Sequence, residues 1–288
     1  MISCRDRLRD EELRVPAVER LRRYDAPGAV LPSHASFDRV RASSGARRRG
    51  IAREAARMAS AVSRFEGFSE AGLTFLRELE RHNERPWFDA RKTTYLDEVK
   101  APFLAFLGVL AERLARAKIP LAPKPRSPAF RIYRDVRFAH DKRPYNTVMR
   151  AALHLDGDTE RPGMLYVRIG GDEAFAAAGC YQPPKSELHA YRTAMVEQPA
   201  AFRRLVTTLE RSDLPLSRRD TLVRVPPAFR ASADTPLEPY AKLTSLLVQR
   251  DLPVATLRGD AIIDAVVDFA RDALPLLRWA WRAKAEAD

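Results

Sequence analysis

The chain reads as an α+β fold: a mainly antiparallel sheet with an N-terminal helical hairpin and a long C-terminal helix packed against it. Three observations predict this. Apolar residues recur at helical spacing from Ser69 to Leu114, switch to strict alternation between Ala151 and Cys180, and return to helical spacing from Pro184 onward. Runs of helices, then strands, then helices replace the alternating units that a parallel sheet requires.

Ser69 offers a side-chain cap to a first helix that carries Leu73, Leu76 and Leu79 on one face and ends near Asn83. Beyond Pro86 the positions Phe88, Tyr95 and Val99 predict a second helix, with Trp87 and Phe88 as an aromatic pair anchoring the hairpin. Pro102 is expected to open a third, whose apolar face includes Phe103, Phe106, Leu107, Leu110 and Leu114. Strands are expected at Ala129 to Tyr133, Ala151 to Leu155, Leu165 to Ile169 and Ala174 to Cys180. Helical spacing resumes from Pro184 to Leu209 in two pieces divided at Pro199, and short strands are expected at Leu222 to Val225 and Leu243 to Gln249. Asp260 then caps a long final helix through Ile263, Val267, Phe269 and Trp281, which Pro275 should kink.

The 288 residues carry a net charge of +12, of which residues 1–57 supply +6 through fourteen Arg and eight acidic residues. That segment is poor in aromatics and has turn-prone patches at Pro27–Gly28 and Ser43–Ser44–Gly45, so it buries too little apolar surface to offset chain entropy. It is expected to form an Arg-rich tail, with Arg9 to Arg23 able to turn helical, or else to lie upstream of a natural start at Met58. Residues 58–288 are expected to make a single globular domain. Only eight of the 50 basic residues are Lys, a balance that GC-rich coding produces unaided, so the basic charge permits acidic partners without requiring them. No signal-peptide core and no run approaching the ~18 apolar residues of a membrane span occurs. Cys4 and Cys180 give no disulfide framework, and the chain is expected in the cytoplasm without membrane contact. Cys180, with no base adjacent in sequence, reads as inert.

Polar chemistry concentrates from Arg131 to Thr147. Arg131, Arg134, Arg137, Lys142 and Arg143 stand around Asp135 and Asp141, with Tyr133, Phe138 and Tyr145 between them. Arginine forks bind carboxylates and phosphates at two points, and aspartates among them either fix the forks or hold a metal. Five cations against two carboxylates leave guanidinium groups in want of a further anion or water. Read as a small-molecule site, Arg131, Arg134, Arg137 and Lys142 are anion clamps, and Tyr133 and Tyr145 are hydroxyl donors. Asp135 or Asp141 then serves as orienting carboxylate or general base, and His140 is the histidine placed for acid–base work. A second reading pins a structural loop by Arg134–Asp141 and Arg137–Asp135 pairs. In a third the cations meet nucleic-acid phosphates while the aromatics stack on bases, although a binder of that kind spreads its cations along a face.

The run Arg131-Ile132-Tyr133-Arg134-Asp135-Val136-Arg137-Phe138, followed by Asp141-Lys142 and Pro144-Tyr145, resembles the core motif of the bacterial and fungal family known as domain of unknown function 2461. Phe65-Glu66-Gly67-Phe68 resembles that family's opening, Asn83 to Phe88 its second motif, Gly179-Cys180-Tyr181-Gln182-Pro183 its third, and Leu222 to Phe229 a late Leu-x-Arg-x-Pro-x-x-Phe element. His82 and Arg143 stand where the family commonly has Asn and Lys. The resemblance implies a domain spanning roughly Phe65 to Trp281 and assigns no activity. By placement it adds Arg192, behind Tyr181, to the ligand-binding candidates, with Arg224 and Lys242 as more distant cations.

Signatures of the well-marked nucleotide, hydrolase and zinc classes do not occur, and His82, His140 and His154 lack metal-ligand spacing. No metal and no cofactor is expected. An anionic small molecule is the favoured partner and nucleic acid the alternative, and the residues leave open whether any bond is broken.

Overall fold

The computed structural model describes residues 65–124 and 131–287. The Arg-rich segment 1–57, Met58 and the first two residues of the strand expected from Ala129 lie outside the described residues.

Ser69 caps helix α1 (Glu70–Arg81): its hydroxyl accepts from the Gly72 N–H at 3.0 Å and donates to the Glu98 carboxylate at 2.6 Å. Leu73, Phe75, Leu76 and Leu79 form the buried face, as the spacing predicts. Helix α2 (Arg85–Ala90) holds Pro86 in its first turn and buries Phe88. The boundary expected at Pro102 is absent. From α3 (Lys92–Thr94) the chain winds through a π-helical turn at Tyr95–Lys100 directly into α4 (Ala101–Arg116), and the break falls at Arg91 instead. Pro102 has no N–H for the Glu98 carbonyl four residues back, and the wider turn absorbs that loss. Gly72 of α1 sits against the same carbonyl, where a Cβ would stand 2.2 Å from the oxygen.

Five strands, β1 (Leu121–Pro123), β2 (Met149–Leu155), β3 (Met164–Ile169), β4 (Ala174–Cys180) and β5 (Leu246–Asp251), pair antiparallel in chain order. At three residues β1 is too short to show a period, and the sequence did not reveal it. Tyr133 makes an isolated bridge to Tyr145 outside the sheet. Leu222 to Val225 is not a strand: Thr221 makes one bridge to Leu243, and Val223 is 90% exposed. Its alternating apolar pattern has no neighbouring strand to satisfy. The other short strand begins three residues later than its pattern suggested, at Leu246, and runs to Asp251.

One face of the sheet belongs to the core. Ala151 and Leu153, Leu165 and Val167, and Ala176 and Ala178 point into it, and helix α8 (Ala261–Ala285) packs across β4. Helices α5 (Lys185–Glu197) and α6 (Pro199–Arg211), divided at Pro199 as the sequence indicates, lie against α8; a short α7 (Glu238–Ala241) precedes β5. Helix α8 runs unbroken through Pro275 and buries thirteen residues. Burial on this scale is what holds the layers together, since each large apolar side chain removed from water contributes roughly 1.5–3 kcal/mol. Apart from Phe175, which points to the other face, strand β4 is built of small residues, and all seven are buried, which lets the helix approach closely. Gly179 has a φ of +128°, and a Cβ there would lie 1.9 Å from the Leu246 carbonyl oxygen. Cys180 is free and buried, its thiol 3.3 Å from the Tyr191 hydroxyl; burial pushes that thiol up to about 12, which keeps it unreactive. Segment 217–222 runs beside the start of β5, with the Ser217 N–H donating to the Leu247 carbonyl at 2.8 Å. Among the described residues no helix is long and apolar enough to cross a membrane.

The opposite face of the sheet carries Arg150, Ala152 and His154 from β2, Tyr166 and Arg168 from β3, and Phe175 from β4. This face positions the candidate site.

Candidate functional site

Asn83, just past α1, is buried, and its side chain clamps the main chain of Tyr145. Its Nδ2 donates to the Tyr145 carbonyl at 3.0 Å, and the Tyr145 N–H donates to its Oδ1 at 2.9 Å. The Tyr145 ring stacks on Phe88 with centroids 4.2 Å apart, so burial, which raises its hydroxyl's affinity for its proton, also fixes the ring. The Arg134 N–H donates to the Pro144 carbonyl at 2.8 Å and the Asn146 N–H to the Ile132 carbonyl at 2.7 Å. Residues 131–147 therefore form a hairpin excursion tied at its base.

Within the hairpin the two aspartates take up three of the five cations. Arg134 reaches Asp141 at 2.9 Å, and Arg143 reaches the same carboxylate at 2.8 Å. Arg137 grips Asp135 at two points, 2.9 and 2.7 Å. Lys142 Nζ donates to the carbonyls of Val136 and Arg137. The Arg137 fork holds the Asp135 carboxyl down at about 2, and Arg143, followed by Arg134, holds Asp141 well below the ordinary carboxylate range. Carboxylates with so little affinity for a proton are weak general bases near neutral pH. His140 is exposed, as are Arg131, Tyr133 and Phe138, the last at 93%. Among the described residues no group of three His, Cys, Asp or Glu is placed to hold a metal ion.

Behind the hairpin a cleft lies against the outer face of β2 and β3. Arg134 and Arg143 from the hairpin, Arg150 from β2 and Arg168 from β3 line it, together with Asn83, Tyr145, Asn146, Thr147 and Tyr166. Its described lining contains no carboxylate, and its enclosed volume is about 20 Å³. Arg150 and Arg168 stand directly opposite each other in the β2–β3 register. Arg150 donates to Asn146 Oδ1 at 3.2 Å; Arg168, 3% exposed, meets Glu173 at 2.8 Å and lies 5.8 Å from the Phe175 ring centre.

The structure thus brings Arg134 and Tyr145 of the expected site residues into one cleft, with Asp141 behind them holding Arg134. Arg131, Tyr133, Asp135, Arg137, His140 and Lys142 are not part of its lining. Tyr181 follows the far end of β4 from Phe175, and Arg192 is buried, donating to the carbonyls of Ala241 at 2.7 Å and Leu243 at 2.9 Å. Burial lowers the proton affinity of Arg192. Of the further cations, Lys242 pairs with Glu238 and Arg224 is exposed. Arg150, Tyr166 and Arg168 escaped the sequence reading. The signal was present: both arginines sit on the polar phase of alternating strands, and pairing those strands as neighbours makes them face one another.

Fold and cleft together define an α+β domain with an arginine-lined recess on the outer face of an antiparallel sheet. The chain belongs to the family described as conserved hypothetical protein (DUF2461), which matches residues 71–279. No curated protein and no solved structure matches it.

Proposed function

We propose that the protein binds the anionic head group of a small molecule, phosphoryl or carboxylate, in the cleft between hairpin 131–147 and the outer face of β2 and β3. The observation that carries this is the direct opposition of Arg150 and Arg168 within a lining of four guanidinium groups and no described carboxylate. Asp141 and Glu173, outside the lining, pair with Arg134, Arg143 and Arg168 and hold their guanidinium groups at the cleft, and an oxyanion seated between Arg150 and Arg168 would accept further charge-assisted hydrogen bonds from them. Asn146, Thr147 and Tyr166 add neutral polar groups. The enclosed space is about that of one water molecule. A head group therefore enters from the open side and the body of the ligand stays outside. The low proton affinity of Asp135 and Asp141 argues against acid–base chemistry by the hairpin carboxylates. The free, buried Cys180 suits a reducing compartment, and we place the protein in the cytoplasm.

Thermal melts test the reading. Phosphate should raise the melting temperature of the parent chain by mass action, since it binds only the folded state. Arg150→Gln should gain nothing from phosphate. An absent shift in the parent at about 10 mM phosphate and at about 10 mM acetate, or an equal shift in the variant, would falsify the proposal.

A further inference from the structure

A second recess lies among the helices and shares no residue with the cleft. Between α5, α6 and α8 the surface encloses about 410 Å³, within the roughly 300–1,000 Å³ of small-molecule sites. Its apolar floor is Ala194, Ala201, Leu205, Pro275, Trp279 and Ala283. The recess exists because three of these positions are alanine where the helices would otherwise meet through larger side chains. Trp279 packs its inner side on Tyr191 and Phe202, with centroids 6.0 and 5.3 Å away, which fixes the ring as a rigid wall. Arg204 of α6 and Arg278 and Arg282, one turn apart on α8, stand around this floor. None of the three side chains forms an ion pair or hydrogen bond with a described residue, and Glu286 is the single carboxylate in the lining. Pro275 lacks an N–H, so the carbonyl four residues back, on Arg271, is left without its helical donor.

Three guanidinium groups around an apolar floor differ from an ordinary solvated helix face. Arginine stems lie readily along apolar surface while their charged heads stay in water; here three such heads ring a concave recess whose base excludes water from any apolar body laid in it. We propose that this recess binds an anionic amphiphile: a small molecule whose alkyl or aromatic body lies over Leu205, Pro275 and Trp279, and whose single anionic head meets Arg278 and Arg282, with Arg204 closing from α6. Tail and head are both needed. The floor supplies affinity by burying apolar area, and the forks supply the sign of the charge.

Calorimetric titration with decanoate tests this on the full chain. Saturable binding is expected, with decanol, which has the tail without the charge, and acetate, which has the charge without the tail, each at least about tenfold weaker. Arg278→Gln with Arg282→Gln removes two exposed charges and should weaken decanoate by about tenfold or more without lowering the melting temperature. Ala201→Leu, at a half-buried position, should abolish binding by filling the floor while leaving every charge in place. Decanol binding as tightly as decanoate, undiminished binding in either variant, or no saturable heat up to about 1 mM decanoate overturns the proposal. So does an acidic amphipathic peptide that binds where decanoate does not, which would make the recess a protein-docking surface.

Discussion

Asn83 and Tyr145, 62 residues apart in the chain, exchange two hydrogen bonds as paired strands do, with a side-chain amide standing in for a peptide group. The clamp joins the end of α1 to the base of the hairpin, and through the Tyr145 ring it reaches the Phe88 core. Asn83→Ala leaves a buried N–H and a buried carbonyl of Tyr145 without these partners, so it should lower stability by on the order of 2–4 kcal/mol. Urea unfolding of the variant measures this. A midpoint equal to that of the parent would mean that water replaces the clamp at no cost.

The two arginine–aspartate pairs of the hairpin should behave differently. Arg134 is mostly buried, with 19% of its side chain exposed, and it also holds the Arg143 carbonyl. Arg134→Met should cost about 1–2 kcal/mol, because Asp141 keeps Arg143 as a partner and is only partly stranded. Arg137 and Asp135 are both open to solvent, which screens their attraction. Arg137→Met should leave the melting temperature unchanged. Equal losses in the two variants would contradict this division.

Asp141 also sets an acid limit. Its folded-state affinity for a proton is depressed by Arg143 and Arg134, below the unfolded value of about 3.9. The stability it contributes is therefore present above about pH 4 and is lost as pH falls through the folded value. Its carboxylate is more than one third exposed, so solvent reduces the effect. Melting temperatures from pH 6 down to about pH 2 should fall less steeply for Asp141→Asn than for the parent. Parallel curves would assign the acid limb to other groups.

Arg192 is expected to act on the fold alone. Arg192→Met strands the carbonyls of Ala241 and Leu243, which should cost roughly 2–3 kcal/mol. The shift in melting temperature produced by phosphate should persist in the variant. Its loss would connect this buried arginine to the anion site.

Nucleic acid should bind weakly. The cleft arginines face into a narrow recess, and Arg137 is already matched by Asp135. Affinity for mixed-sequence RNA near physiological salt should be weaker than about 10 µM, the weak side of non-specific binding. Fluorescence anisotropy with a chain beginning at Met58 would detect the opposite, submicromolar binding with a steep salt slope.

The sequence carried the periodic elements well, because α1, β2, β3 and α8 each present one face to the core and so must repeat at their own period. It was blind where a tertiary contact decides. The continuous rod from Lys92 to Arg116 depends on a π turn that accommodates Pro102, and local propensity at Pro102 argues for a break. For the site, the motif from Arg131 to Thr147 announced charged pairs, and Arg134–Asp141 and Arg137–Asp135 are both formed. The cations that set the character of the cleft came from elsewhere. Arg150 and Arg168 are 18 positions apart and become neighbours only through the β2–β3 register, which no short motif encodes.

Both rims of the sheet are occupied in a way that bears on how copies of the chain meet at high concentration. On one side β1 offers three residues, the last a proline with no N–H to share. On the other, segment 217–222 already runs along the start of β5 and takes the Leu247 carbonyl. A neighbouring molecule finds little unpaired backbone on which to lengthen this sheet, so ribbon-like aggregation is obstructed at both ends. Loosening segment 217–222 would open the start of β5, with Leu246, Leu247 and Val248, to pairing with a neighbouring chain.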